Sequence, residues 1–160
     1  MISKFTQDVI TEMVNIGVAK GATMLATMMK TRVSLSVPEV KIIDCEKMQE
    51  YFEELEEKQI YSINFDFEDP SRGKALFVIT DSHSTALASA LTKIPENDPK
   101  LNEKKSDVLK EVGNIVLNSI ITSISQFIYL PISLNVPKEY QGSYSGLHKI
   151  IEKEAETEKV

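Results

Sequence analysis

Apolar residues recur at three- and four-residue spacing between Ser3 and about Lys30, at Phe5, Val9, Met13, Ile16 and Val18. This period predicts a helix, and Ser3 is placed to cap its start. A second helix is expected to open near Asp98-Pro99, where proline suits the first turn, or at Asn102, and to run to about Phe127. Both helices lead into alternating segments, Val33 to Val37 and Ile132 to Val136, whose period of two reads as a strand. Pro38 and Pro137 then fall at the strand's end or on a sheet edge.

The stretch between the two helices carries its own pattern. Residues 45–58 are acidic and are expected to be helical or irregular at the surface. Tyr61 to Phe67 alternates at Ile63, Phe65 and Phe67 and reads as a strand. Residues 68–73 supply turn chemistry, and Lys74 to Thr80 is a continuous apolar strand, so the pair predicts a hairpin. Asp81 or Ser82 can cap a helix from about His83 to Lys93. Residues 138–147 are polar and contain glycine, and the end of the chain reads as a short charged helix or a frayed tail.

The chain repeats itself. A shift of 99 residues aligns 8–38 with 107–137 without a gap, and ten of the 31 positions are identical. Unrelated segments of ordinary composition would share about two. The identities include Asp8/Asp107, Glu12/Glu111, Asn15/Asn114 and Pro38/Pro137. The expectation is one domain over 1–160, with repeat one at about 1–95, repeat two at about 98–150 and a charged tail at 151–160. Only 23 residues follow Pro137, so the second repeat reads as truncated, without the hairpin and the helix after it. The fold class is α/β in the broad α+β sense: a pseudo-two-fold repeat with two long helices on a mainly antiparallel sheet. Loss of two strands would leave a bare sheet edge. A second protomer, in a homodimer, or an unusual tail is expected to cover it.

Composition narrows the function. The 160 residues are 42% hydrophobic and 26% charged, which suits an ordinary globular chain. A net charge of -6 argues against a nucleic-acid partner. The apolar runs are too short to span a bilayer, and MISKFTQDVI lacks the layout of a secretion signal. A lone cysteine, Cys45, fits a reducing compartment and a cytoplasmic location, and it reads as a bystander. His83 and His148 lie outside the repeated motif and read as structural or exposed. Met24, Met28 and Met29 read as core or interface filling, and Gly17, Gly21 and Ala22 as marks of close helix packing. No nucleophile elbow and no Glu-x-x-His metal pair is present, so no metal is expected on this chain.

The repeated Asp, Glu and Asn fall at i, i+4 and i+7, on one helical face in each copy. A carboxamide does not titrate and makes a poor general base, but it can hold a water in line with phosphorus. A neighbouring glutamate can grip a cation by a charge-assisted bond. With no phosphate-binding glycine loop, each pair looks like half a site, completed by a partner that brings the phosphate and its metal.

These residues carry a resemblance. Asp8-x3-Glu12-x2-Asn15-x22-Pro38 and Asp107-x3-Glu111-x2-Asn114-x22-Pro137 both resemble the signature of the CheC/CheX/FliY phosphatases. The runs Asn15-Ile16-Gly17 and Glu111-Val112-Gly113-Asn114-Ile115 are similar to that family's helices. The resemblance covers residues 1 to about 137 and implies a CheC-like fold. It implies a protein-aspartyl-phosphate phosphatase acting on a CheY-like receiver in bacterial or archaeal chemotaxis. Asn15 and Asn114 would orient the attacking water, and Glu12 and Glu111 would pair with the receiver's lysine. The Mg2+ would belong to the receiver, with no cofactor on this chain. Asp8, Asp107, Pro38 and Pro137 match by position without an assigned role. CheC also binds the deamidase CheD through its C-terminal half, where no residue of this chain is identified as supplying the contact. The alternative is a non-catalytic module that binds a receiver, CheD or the flagellar switch without turnover.

Overall fold

Ser3 does cap the first helix. In a computed structural model, its side chain accepts a hydrogen bond from the Thr6 N–H, and α1 runs over Lys4–Met29. The structure describes residues 3–30, 32–33, 39–43, 47–53, 59–67 and 72–157. Lys30 ends α1 in the left-handed conformation, its N–H returned to the carbonyls of Ala26 and Thr27. A short α2, Met48–Glu53, falls within the acidic stretch. Strands β1, Gln59–Phe67, and β2, Gly73–Thr80, pair antiparallel with Ile63 opposite Phe77. Helix α3, Asp81–Thr92, follows at once, capped by the Thr80 hydroxyl rather than by Asp81 or Ser82. Thr80 wins because it ends β2 in the extended conformation that an N-cap requires. Helix α4 spans Pro99–Ile128 with Asp98 as its cap and Pro99 in the first turn.

The C-terminal segment departs from the sequence reading. Lys138–Ser143 forms β3, and Tyr144–Thr157 forms helix α5. The sheet order is β2-β1-β3, so β3 occupies the edge of β1 that the shortened repeat was expected to leave bare. Of the two covers expected there, the chain's own C-terminal segment supplies this one. Among the described residues, the second repeat has one strand followed directly by a helix, as β2 is followed by α3.

The expected strand 132–136 reduces to a single bridge between Phe67 and Leu134, and the Asn135 N–H donates to the Asp66 carbonyl at 2.9 Å. Pro137 has no N–H to continue that ladder. It stands just before β3 rather than at the end of a strand, and the register shifts by one residue across it. Val33 lies outside any strand, while residues 34–38 of the first alternating segment, Pro38 included, lie outside the described residues. So do Cys45 and most of the turn at 68–73.

The core lies between the sheet and α4. Tyr61, Ile63 and Phe65 point from β1 to that side and pack with Leu109 and Leu117 of α4 and with Ala75 of β2. Gly113 lets α4 settle there, since a Cβ at that position would stand 2.9 Å from Ile63 Cβ. Helix α3 shares this layer through Leu87 and Leu91. Lys105 of α4 is buried and donates to Asp81 Oδ1 and Thr85 Oγ1, each at 2.8 Å, which ties α4 to the start of α3. On the other face of β1, Asn64 and Asp66 share a cleft with Ile150 and Ile151 of α5. Asp66 there is bridged by Lys74 and Lys138, which hold its carboxyl below the usual range.

Helix α1 lies against α4 rather than directly on the sheet. The two run antiparallel, with Gly17 against Ile120 and Gly21 against Val116. A Cβ on Gly17 would sit 2.5 Å from Ile120 Cα, so this crossing has room for hydrogen only. Several apolar residues of α1 are exposed: Phe5 at 77%, Ile16 at 45%, Met24 at 53% and Met28 at 43%. The buried stripe of α1 is Met13, Gly17, Gly21 and Leu25, which follows a spacing of four through two glycines.

Candidate functional site

On α1, Asp8 and Glu12 are exposed and Asn15 is half-buried, on the side away from the Met13-Gly17-Gly21 stripe. The two sets alternate because 3.6 residues make a turn, so residues spaced by four drift slowly and stay on separate faces. Ile16 joins the exposed face beside Glu12. Asn15 Oδ1 is buried and has no hydrogen-bond partner among the described residues.

On α4 the equivalents take the same positions. Asp107 and Glu111 are exposed and Asn114 is half-buried. Their surroundings differ from those in the first copy. Asn118 Nδ2 donates to Asn114 Oδ1 at 2.5 Å and to the Asn114 backbone carbonyl at 2.9 Å. Ile115 is buried, whereas its counterpart Ile16 is exposed.

A second network steadies this part of α4. Glu139 of β3 accepts from the Ser106 hydroxyl at 2.6 Å and the Tyr61 hydroxyl at 2.5 Å, and Lys110 lies 3.3 Å away. Ser106 directly precedes Asp107 and Lys110 directly precedes Glu111, so the edge strand grips the helical turn that carries the motif. Burial, then the bond to Glu139, pushes the Tyr61 hydroxyl up to about 12. The donors Ser106 and Tyr61, with Lys110, hold the Glu139 carboxyl below its usual range.

The second motif lines a cleft closed by the far end of α1, whereas the equivalent cleft beside α1 includes none of Asp8, Glu12 and Asn15. A cleft of about 300 Å³ is lined by Asp107, Val108 and Glu111 together with Met28 of α1 and Leu91 and Thr92 of α3. Another, of about 610 Å³, joins Met13, Ile16 and Lys20 of α1 to Ser123, Gln126 and Phe127 of α4 and to Tyr129. Met28 and Phe127 are 99 residues apart, so they are equivalent members of the repeat. With Gly17 opposite Ile120 and a rise of 1.5 Å per residue, the two glutamates lie roughly 20 Å apart along the helix axes. The two motifs are thus separate sites, not one composite centre.

Residues 5–42, which contain the first motif, match the model of the CheC-like family. Over 139 residues the chain is 25% identical to the flagellar motor switch phosphatase FliY of Bacillus subtilis (strain 168), covering 86% of this chain and 36% of that protein. The chain therefore spans about a third of the length of that curated relative. The X-ray crystal structure of Thermotoga maritima FliY has the same fold, with a TM-score of 0.73 at 18% identity over 91% of this chain and 72% of that one. Together these likenesses support a place in the CheC/CheX/FliY family.

The α+β fold expected from the resemblance is thereby the observed one. The sequence placed both motifs on helices but missed three supporting residues. Asn118 carried a signal, since it stands four residues past Asn114 where Ala19 follows Asn15. Glu139 and Tyr61 carried none, because β3 and its pairing with β1 were not anticipated. Among the described residues, no helix is long and apolar enough to cross a membrane.

Proposed function

We propose that this chain is a phosphatase that hydrolyses the aspartyl phosphate of a CheY-like receiver domain in chemotaxis or flagellar-motor signalling. The observation that supports this most is the doubled stripe. The same Asp, Glu and Asn, in the same register, stand on two antiparallel helices with both glutamates exposed. The name of the Bacillus relative, a flagellar motor switch phosphatase, supports the same reading.

The reaction adds water to an acyl phosphate. The water oxygen bonds to phosphorus, the bond from phosphorus to the aspartyl oxygen breaks, and carboxylate and inorganic phosphate are released. Such a transfer depends on positioning more than on proton abstraction. Asn15 and Asn114 orient the water. Glu12 and Glu111 pair with a lysine of the receiver, and Asp8 and Asp107 add negative charge one turn away. The Mg2+ is the receiver's and supplies charge neutralisation at the phosphate. No residue of this chain is assigned to hold it.

The test is the decay of a phosphorylated receiver with magnesium. It is followed alone, with the intact chain, and with Asn15→Ala, Asn114→Ala and the double variant. The intact chain should accelerate decay, and the double variant should lose about tenfold or more of that acceleration. Decay unchanged by the intact chain sinks the phosphatase reading. If the receiver still binds in that case, the chain is an interaction module without turnover.

A further inference from the structure

Asn15 and Asn114 hold the same place in the repeat but not the same neighbours. One turn beyond Asn114 stands Asn118; one turn beyond Asn15 stands Ala19. Asn118 Nδ2 reaches both the side-chain oxygen and the backbone carbonyl of Asn114, at 2.5 and 2.9 Å. A carboxamide carries its acceptor and its two donors on opposite arms of one plane. Engaging Oδ1 along the helix fixes that plane and turns the Nδ2 donors the other way. Asn118 is itself steadied by its bond to the backbone. Ala19 can do none of this for Asn15, whose Oδ1 is buried with no partner among the described residues.

We infer that Asn118 is a positioning residue for the second motif: it presets the Asn114 carboxamide, so that this motif acts from an ordered side chain and the first from an unclamped one. The kinetic consequence rests on the phosphatase reading above; the geometry does not. Donors held in place can fix a water by its lone pair or bind a phosphoryl oxygen without first giving up rotamer freedom. An unclamped carboxamide must be ordered at each encounter, which slows turnover by about three- to tenfold.

The experiment uses the full chain carrying Asn15→Ala, so that only the second motif reports. Asn118→Ala removes the clamp. Asn118→Asp keeps its shape but replaces the donor with an acceptor. Both should lower kcat for receiver dephosphorylation about three- to tenfold and leave KM within about twofold, a split that simple helix damage would not give. In parallel, nitrogen-15 relaxation on the otherwise unmodified chain should find the Asn114 side-chain amide more rigid than that of Asn15. That difference should vanish in Asn118→Ala. Equal mobility of the two amides overturns the presetting, whether or not activity is found. Unchanged kcat in both variants overturns the positioning role. A rigid Asn114 in a chain that does not accelerate decay upholds the presetting and sinks the phosphatase reading alone.

Discussion

Gly17→Ala and Gly21→Ala should change stability in opposite directions, although they lie one turn apart on the same face of α1. A Cβ at Gly17 would stand 2.5 Å from Ile120 Cα and 3.0 Å from Ile120 N and Ser119 O. All three are backbone atoms of α4, so no rotamer change can relieve the clash. The helices must separate by about 1 Å to restore ordinary contact. Overpacking of that kind costs about 1–3 kcal/mol. Alanine returns about 1 kcal/mol through its better helix propensity, which leaves a net loss of up to about 2 kcal/mol. At Gly21 the new Cβ would lie 3.5 Å from Val116 Cα and 3.6 Å from the Ser119 side chain, which is ordinary contact. There the propensity gain stands almost alone, at about 0.5–1 kcal/mol. Urea unfolding followed by circular dichroism reads both values, with an unchanged slope as the check that only stability moved. A Gly17→Ala chain as stable as Gly21→Ala would refute the close crossing, and with it the registration of the two motifs.

Two further predictions concern the buried polar groups. The Tyr61 hydroxyl titrates near 12 when folded, against an ordinary value of 10.0. A raised acid lends stability that is complete below the unfolded value and is lost as pH rises through the folded one. Stability should therefore fall by about 2 kcal/mol between about pH 10 and pH 12. Tyr61→Phe should flatten that fall in alkaline unfolding curves while costing about 1 kcal/mol at neutral pH through the lost bond to Glu139. Asp81→Ala should cost about 1–2 kcal/mol in thermal unfolding, since it strips a partner from buried Lys105, with the effect moderated because Asp81 is half exposed. Lys105→Met should cost less than Asp81→Ala, because the ammonium leaves with its partner's need for it; the reverse order would show that the pair is not what fastens α3 to α4.

Much of this fold was legible because its signals are local. Ser3 and Asp98-Pro99 mark helix starts with residues whose side chains or missing N–H suit those positions. The hairpin announces itself through apolar strands on either side of a turn. What escaped depends on distant partners. Lys138-Glu-Tyr-Gln-Gly-Ser143 has no alternating pattern, and it becomes a strand because β1 offers it a ladder. Ile132 to Val136 has the pattern but lies beside a proline that interrupts pairing. In the sites, the Glu/Asn spacing was visible as a repeat. The spacing of Phe5 and Ile16 revealed the helix but not its buried face, which runs through Met13, Gly17, Gly21 and Leu25. Asn118 was legible in principle, as a polar residue one turn past the motif asparagine where the first copy has alanine.

The placement of β3 has a consequence for synthesis. β1 emerges about 70 residues before its second neighbour. At 5–20 residues per second, that leaves one side of β1 unpaired for roughly 4–14 s in every nascent chain. During that interval Ile60, Ile63 and Phe65, all buried in the finished protein, sit on a strand with a free edge. The chain's window of aggregation risk is thus set by where its last strand is encoded, and a ribosome stalled before Lys138 would hold that window open.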